Sequence, residues 1–344
     1  MRVLVANNHL VNTGGTENFT LTLISELKKR GYDVHYFTFE KGIISGIIEK
    51  ELKVKFMEYE YYDLILASHN TCVDFLKGKG FVIQTCHGVD HILEKPSIYA
   101  NYHVAISEEV QEYLSFLGIP SLVIWNGIDC EIFRPKTHIN TKVKTILSLS
   151  HSENFNIKLN ELCKQIDVNL ITRNKYNDNK LDIPEMINSA DLVFGIGRSA
   201  YEAMACGRPV IIYDEREYNG DIGDGYVNTN FFNIVKNNCS GRFYRKVFKP
   251  VDLRNEINKF NFSDTFYLRE IALNYLNVVK TTDRYIHIYN QHNLLEIKKL
   301  QKKLLLKYFY NNNQQDDLSY FSSKVRFKTL IAIIFIKIKQ KLIK

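Results

Sequence analysis

Short runs of apolar, mostly β-branched residues alternate with helical patterns along this sequence, and this alternation restricts the possible folds more than any other feature. The first run, VLVA at residues 3–6, precedes a helical pattern that ends at Gly31. Further apolar runs begin near residues 34, 54, 64, 81, 104, 122, 144, 168, 191 and 209. Strands joined by helices form parallel sheets that are covered on both faces. The sequence therefore predicts a doubly wound α/β fold.

The alternation pauses between residues 126 and 140, where Asn-Gly and Arg-Pro pairs are typical of a loop. With 344 residues, of which 45% are hydrophobic, the chain is long enough to form two buried cores. We expect two Rossmann-like domains facing across a cleft, at residues 1–135 and 136–292, followed by a helical basic tail at residues 293–344. Ligands of such domains bind beyond the carboxyl ends of the strands.

The net charge of +7 comes from the tail. Residues 298–344 hold 12 of the 45 Lys and Arg residues but only 2 of the 38 Asp and Glu residues, so the rest of the chain is slightly negative. An enzyme acting on nucleic acid would carry its positive charge on the folded body, so we expect no nucleic-acid partner. The six cysteines are scattered in apolar surroundings and no signal peptide begins the chain, which predicts a cytoplasmic protein.

The tail contains an apolar run, LIAIIFI at residues 330–336, with lysines on both sides. Seven apolar residues cannot span a bilayer, which needs roughly 20. They can enter its surface while the lysines contact anionic lipid head groups. The tail therefore predicts peripheral attachment to the inner face of the cell membrane. The alternative is an oligomer contact, or a helix packed back on the body of the protein.

A glycine-containing turn follows the apolar run at residues 192–194. In GIGRSAYEAMACGRPVIIYDE, residues 195–215, Gly195 and Gly197 permit a tight turn, and the pair Ser199 and Glu202 matches a helix capping box. Glycines and a helix N-terminus form a phosphate-binding site, to which Arg198 adds positive charge. Glu202 could bind the hydroxyls of an attached ribose. The alternative is that Glu202 only caps its helix and the glycines only turn the chain.

Several segments in a fixed order together resemble the GT-B glycosyltransferases, and within them the retaining glycosyltransferase family four. These segments are TGGTE at residues 13–17, TCHG at 85–88, WNGID at 125–129 with Phe133 and Pro135, and the stretch from Ala190-Asp191 through YEAMACGRPV at 201–210. The resemblance covers roughly residues 1–290, and the ordered set is far more specific than any one segment.

This resemblance implies transfer of a sugar from a nucleotide-sugar, bound mainly by the second domain, to an acceptor bound mainly by the first. Glu202 would hold the ribose, and His87 would lie beside the transferring sugar. His87 could equally be an ordinary polar residue in a strand-end loop. The resemblance also assigns five further residues to the donor site: Gly14, Gly15, Gly195, Gly197 and Ser199. The backbone N–H groups from Gly197 to Ser199 would face the diphosphate.

Retaining members of the family are thought to use front-face attack, in which the departing phosphate oxygen takes the acceptor's proton. Such chemistry depends on electrostatic stabilisation of the leaving diphosphate, so the lack of a carboxylate pair is no objection. The sequence has no Asp-x-Asp of the kind that holds a metal-bound nucleotide. We therefore expect a hexosyltransferase-like enzyme that needs no metal or other cofactor.

Two positions depart from the family pattern. Phe194 stands where the family has its first glutamate, so a partner for the donor sugar's hydroxyls is missing. The loop at residues 150–158 has His151 at the place of the family's arginine, with Lys158 near the place of its lysine. Arg198 is expected to supply the missing charge. Arg173 is another candidate, although it could equally be a solvated surface residue.

Three functions fit these observations. The first is an active retaining glycosyltransferase whose acceptor is an envelope glycan or a lipid-linked glycan. The second is a catalytically weak GT-B protein that binds nucleotide-sugar or supports a partner transferase, which Phe194 and the missing arginine favour. The third is a GT-B epimerase or phosphorylase, which the signature at residues 126–135 disfavours.

Overall fold

The computed structural model of the protein describes residues 1–173, 182–216 and 220–291. These residues form two compact units. Of the described residues, unit 1 contains Met1–Ile124 and residues 282–291, and unit 2 is Trp125–Thr281. The whole of the predicted basic tail, residues 293–344, lies outside the described residues.

Unit 1 contains a seven-stranded parallel sheet with the strand order β5-β3-β1-β6-β7-β8-β9. Side chains from alternate positions of β1 enter different clusters, Val3 and Val5 on one face and Leu4 and Ala6 on the other, so both faces are buried. A short parallel pair, β2 with β4, lies apart from this sheet. In chain order the elements are β1 (Arg2–Ala6), β2 (His9–Leu10), α1 (Gly15–Lys29), β3 (Asp33–Phe37), β4 (Glu40–Lys41), α2 (Ile43–Lys50), β5 (Lys55–Phe56), β6 (Tyr62–Ala67), α3 (Asn70–Leu76), β7 (Gly80–Cys86), β8 (Tyr102–Ala105), α4 (Glu108–Phe116) and β9 (Ser121–Val123).

Unit 2 contains a five-stranded sheet with the order β11-β10-β12-β13-β14, in which only β14 is antiparallel. The sequence did not predict β14, since its three glycines disfavour a strand. The elements are β10 (Thr145–Ser148), α5 (Glu153–Gln165), β11 (Asn169–Thr172), α6 (Ile183–Asn188), β12 (Leu192–Phe194), α7 (Arg198–Ala205), β13 (Val210–Arg216), β14 (Gly220–Tyr226), α8 (Phe231–Ile234), α9 (Pro250–Ile257), α10 (Asp264–Ile271) and α11 (Val278–Asn290), whose last residues belong to unit 1.

The units divide the chain at 124/125 and 281/282, whereas the sequence led us to expect boundaries at 135/136 and 292/293. The guanidinium of Arg269 donates to the carbonyls of Cys130 and Phe133, at 3.1 and 2.8 Å, which ties the region after residue 124 to unit 2. The hydroxyl of Tyr285 lies 2.7 Å from that of Thr85, which ties the end of α11 to unit 1. Such contacts between distant segments leave no local pattern in the sequence.

All six cysteines are free and buried, as their apolar surroundings predicted. Burial raises the pKa of the thiols, for example that of Cys72 to about 12, so these thiols are not ionised at neutral pH. None of the described helices is both long enough and apolar enough to cross a bilayer.

Candidate functional site

The turn between β12 and α7 forms the centre of the candidate site. Gly197 has a φ of +55°, which a residue with a side chain rarely adopts, and it precedes the first helical residue, Arg198. The predicted capping box is therefore wrong, because Ser199 lies inside the first turn of the helix and the N-cap is Gly197. A Cβ on Gly195 would lie 3.1 Å from the Cβ of Ser199, so Gly195 lets the helix start close to the strand.

Backbone N–H groups in this turn differ in their availability. The N–H of Gly197 donates to Cys239 O at 3.0 Å, and that of Gly195 donates to Ile211 O at 3.2 Å. Those two groups are therefore occupied, contrary to the expectation that Gly197 contacts a diphosphate. Within the described residues, the N–H groups of Ile196 and Ser199 have no acceptor. Two donors at a helix N-terminus can thus receive an anion.

Arg198 and Glu202 form an ion pair one turn into α7. Arg198 Nε lies 2.8 Å from Glu202 Oε1, and each side chain is only 9% exposed. Arg198 Nη1 also donates to the carbonyl oxygen of Gly127 at 3.1 Å. Burial raises the pKa of Glu202, and the positive charges of Arg198 and Arg173 oppose this rise. Arg198 and Glu202 are therefore in direct contact, and the charge of Arg173 acts on the same carboxylate.

Lys158 pairs with Glu215, a carboxylate outside the Arg198–Glu202 pair. It lies on α5 and its ammonium group contacts both carboxylate oxygens of Glu215 at 2.9 Å. The Glu215 carboxylate is 7% exposed and also accepts hydrogen bonds from Tyr213 and Asn154. The sequence analysis missed Glu215, although its position at the end of an apolar run is a detectable signal. His151, in the loop between β10 and α5, is exposed.

Phe194 does not face this site. Its side chain is fully buried in the core of unit 2, where its ring centroid lies 5.5 Å from that of Phe155. Phe194 is therefore a core residue, and β12 offers no carboxylate at the position where the resemblance implies a glutamate.

The remaining predicted residues lie in unit 1. Gly14 is the N-cap of α1, and the carboxylate of Glu17 fills the space that a Cβ on Gly14 would need. Gly15 has open space around it. His87 follows β7, is partly buried, and packs edge-to-face on Phe19 with ring centroids 5.1 Å apart.

Two further histidines follow strands of the same sheet, and the sequence analysis missed both. His9 Nε2 lies 3.0 Å from Glu17 Oε1, and the His9 ring stacks on His69 with centroids 5.6 Å apart. Burial lowers the pKa of His69 to about 4, helped by the charges of His9 and His91, so His69 is neutral at pH 7. A histidine within three residues of the end of an apolar run is the signal that could have found them. The described residues hold no group of three His, Cys, Asp or Glu side chains placed to bind a metal ion.

No protein-family model matches the chain, and no curated protein matches it. Among solved structures, HepE of Anabaena in complex with UDP and glucose has a TM-score of 0.57 at 14% identity, over 85% of this chain and 100% of that one. The chain has the GT-B fold. Acinetobacter baumannii MurG has a TM-score of 0.52 at 10% identity, over 84% of this chain and 99% of that one. A putative UDP-N-acetylglucosamine 2-epimerase from Listeria monocytogenes has a TM-score of 0.51 at 11% identity, over 85% and 96%.

At these identities the similarity establishes the fold and not the reaction, and it includes a protein described as an epimerase. The predicted fold class is therefore confirmed. Membership of the retaining family four stays a prediction.

Proposed function

We propose that the protein transfers a hexosyl group from a nucleoside diphosphate sugar to an envelope glycan or a lipid-linked acceptor. The observation that carries this proposal is the buried Arg198–Glu202 pair beside two unoccupied N–H donors at the start of α7. The N–H groups, Arg173 and Arg198 would receive the diphosphate, while Glu202 would accept hydrogen bonds from the ribose. HepE, whose structure contains UDP and glucose, supports a nucleotide-sugar as the ligand.

The proposed reaction retains the configuration at the anomeric carbon. The bond from the anomeric carbon to the diphosphate breaks, the acceptor oxygen bonds to the same face, and the acceptor's proton passes to the departing phosphate oxygen. In this scheme the protein stabilises the negative charge of the diphosphate and needs no metal. His87, Gly14 and Gly15 are proposed to contact the transferring sugar and the diphosphate from unit 1.

A second candidate function is nucleotide-sugar binding with little turnover, in support of a partner transferase. The observation that favours it is that two predicted donor-binding cations are engaged by carboxylates, Arg198 by Glu202 and Lys158 by Glu215. Cations held in this way would contribute less charge to a leaving diphosphate.

The two functions are separated by incubating the protein with UDP-, GDP- and ADP-linked sugars and measuring nucleotide release, with and without a lipid extract as acceptor. Transfer predicts release that the extract stimulates and that EDTA leaves unchanged. Binding of a nucleotide-sugar without release would support the second function. Loss of release in EDTA that Mg²⁺ or Mn²⁺ restores would refute the metal-free scheme.

We further propose that the protein works in the cytoplasm, attached to the inner face of the cell membrane through its basic tail. The sequence of residues 298–344 supports this proposal by its excess of lysines around one apolar run. Sedimentation with anionic vesicles should be strong for the full chain at low salt, weaker at high salt, and lost for a chain that ends at Asn313. Equal sedimentation of both chains, or none of either, would exclude this attachment.

A further inference from the structure

The two places where the chain passes between its units are bonded to each other within unit 2. We call residues 125–128, from Trp125 to Ile128, the linker segment. Ile128 N donates to Leu276 O at 2.7 Å, and Val278 N donates to Ile128 O at 2.9 Å. The hydroxyl of Thr281 donates to the carbonyl oxygen of Trp125 at 3.3 Å. The linker segment and the start of α11 therefore move together.

Gly127 has little room to shift within this junction. A Cβ at this position would lie 2.7 Å from both Thr281 Oγ1 and Val278 Cα, so the two chain segments are in direct backbone contact. The carbonyl oxygen of Gly127 accepts the hydrogen bond from Arg198 Nη1. A change in the position of the Arg198 side chain therefore acts on the linker segment directly and on the start of α11 through it.

A bound diphosphate changes what Arg198 can contact. Its guanidinium already serves Glu202 and the Gly127 carbonyl, and both side chains of the ion pair are almost completely buried. Phosphate oxygens are stronger acceptors for a guanidinium than a neutral carbonyl is, because the hydrogen bond is then charge-assisted and often bidentate. Because the five N–H donors of a guanidinium form one rigid fork, a diphosphate at the start of α7 would reorient the group and thereby strain or break its bond to Gly127.

We infer that Arg198 couples occupancy of the diphosphate site to the conformation of the linker segment, through its hydrogen bond to the Gly127 carbonyl. This inference rests on the proposed function. Because coupling between two sites is reciprocal, a change confined to the linker segment also alters the affinity for the diphosphate.

The chain has a single tryptophan, and that tryptophan lies in the linker segment. The Trp125 ring packs against Phe231 and Tyr275, with centroid separations of 6.1 and 6.3 Å, so its fluorescence reports on movement there. UDP, GDP and ADP are titrated in parallel by calorimetry and by fluorescence excited where tyrosine does not absorb. The wild-type chain should show a spectral change that saturates together with the calorimetric signal.

The decisive variant is Arg198→Lys, which keeps the positive charge but cannot bridge Glu202 and Gly127 through one planar group. It should bind the nucleotide about 10-fold more weakly, as expected for one lost charge-assisted hydrogen bond, and show no spectral change at saturation. Thr281→Val removes the bond to Trp125 without touching the site, and should alter nucleotide affinity by about 5-fold, at the low end of typical coupling. Thr265→Val is the matched control, since that buried hydroxyl has no partner among the described residues.

Calorimetric binding to the wild-type chain without a change at Trp125 would overturn the inference and leave the proposed function standing. The same is true if Arg198→Lys gives the wild-type spectral change at saturation, or if Thr281→Val binds with unchanged affinity. If none of the three nucleotides binds the wild-type chain, the proposed function and the inference both fail. Thr281→Val keeps the test decisive if Arg198→Lys does not fold.

Discussion

Replacing either Arg198 with methionine or Glu202 with leucine is expected to lower the free energy of unfolding by about 3–5 kcal/mol, because each change leaves an unpaired charge in a buried site. The pair is buried on both sides, at 9% exposure for each side chain. The double variant should recover most of this loss, since replacing both members of a buried ion pair with apolar residues is often neutral. Urea denaturation of the three variants measures these differences.

Activity should follow a different pattern. Glu202 is proposed to hold the ribose and Arg198 to meet the diphosphate, and a lost charged hydrogen bond costs about 1.5–3 kcal/mol, or roughly 10–100-fold in kcat/KM. The stable double variant should therefore be at least as inactive as the single ones. Nucleotide release at saturating acceptor, measured on protein that is folded by circular dichroism, tests this expectation.

The exposed pair of Lys136 and Glu185, whose side chains are 34% and 54% exposed, provides the control. Lys136→Met and Glu185→Leu should leave the free energy of unfolding and the turnover nearly unchanged, because exposed ion pairs contribute little to stability. A double variant of Arg198 and Glu202 that is both stable and fully active would show that the pair only supports the fold.

The sequence predicted the α/β framework because buried parallel strands are continuous apolar runs. LILA at residues 64–67 and FVIQT at 81–85 both lie within strands, β6 and β7. The strand-turn-helix geometry around Gly197 also follows from local chemistry, since glycine is needed where φ is positive.

The partners with which Arg198 and Lys158 form long-range hydrogen bonds and ion pairs could not be predicted from local sequence patterns. The Gly127 carbonyl that accepts from Arg198 is 71 residues distant in the chain, and the Glu215 that engages Lys158 is 57 residues distant. The capping box failed for a related reason, because the N-cap of the helix is Gly197, two positions before Ser199, which the pattern requires as the N-cap. Local patterns thus locate the site and its i,i+4 ion pair, whereas tertiary contacts decide that Lys158 pairs with Glu215 and that Arg198 also bonds to Gly127.

Introducing a glutamate by Phe194→Glu, at the position where the resemblance implies one, is expected to lower the free energy of unfolding by more than about 4 kcal/mol. Truncating a buried phenylalanine alone costs about 3–5 kcal/mol, and the new carboxylate would be buried without a hydrogen-bond partner. Phe194 is fully buried and packs on Phe155, and both belong to the same core cluster of unit 2. Thermal and urea unfolding measure the loss.

Phe194→Leu separates the effect of charge from that of shape. A hydrophobic exchange of similar volume usually costs less than about 1.5 kcal/mol, so this variant should remain folded and keep its turnover. If Phe194→Glu were instead as stable as the wild-type chain and used its donor faster, the side chain at this position would reach the donor sugar. The expected collapse would mean that position 194 serves core packing and not donor binding. In the proposed reaction, the hydroxyls of the donor sugar would then be held by a residue outside this strand.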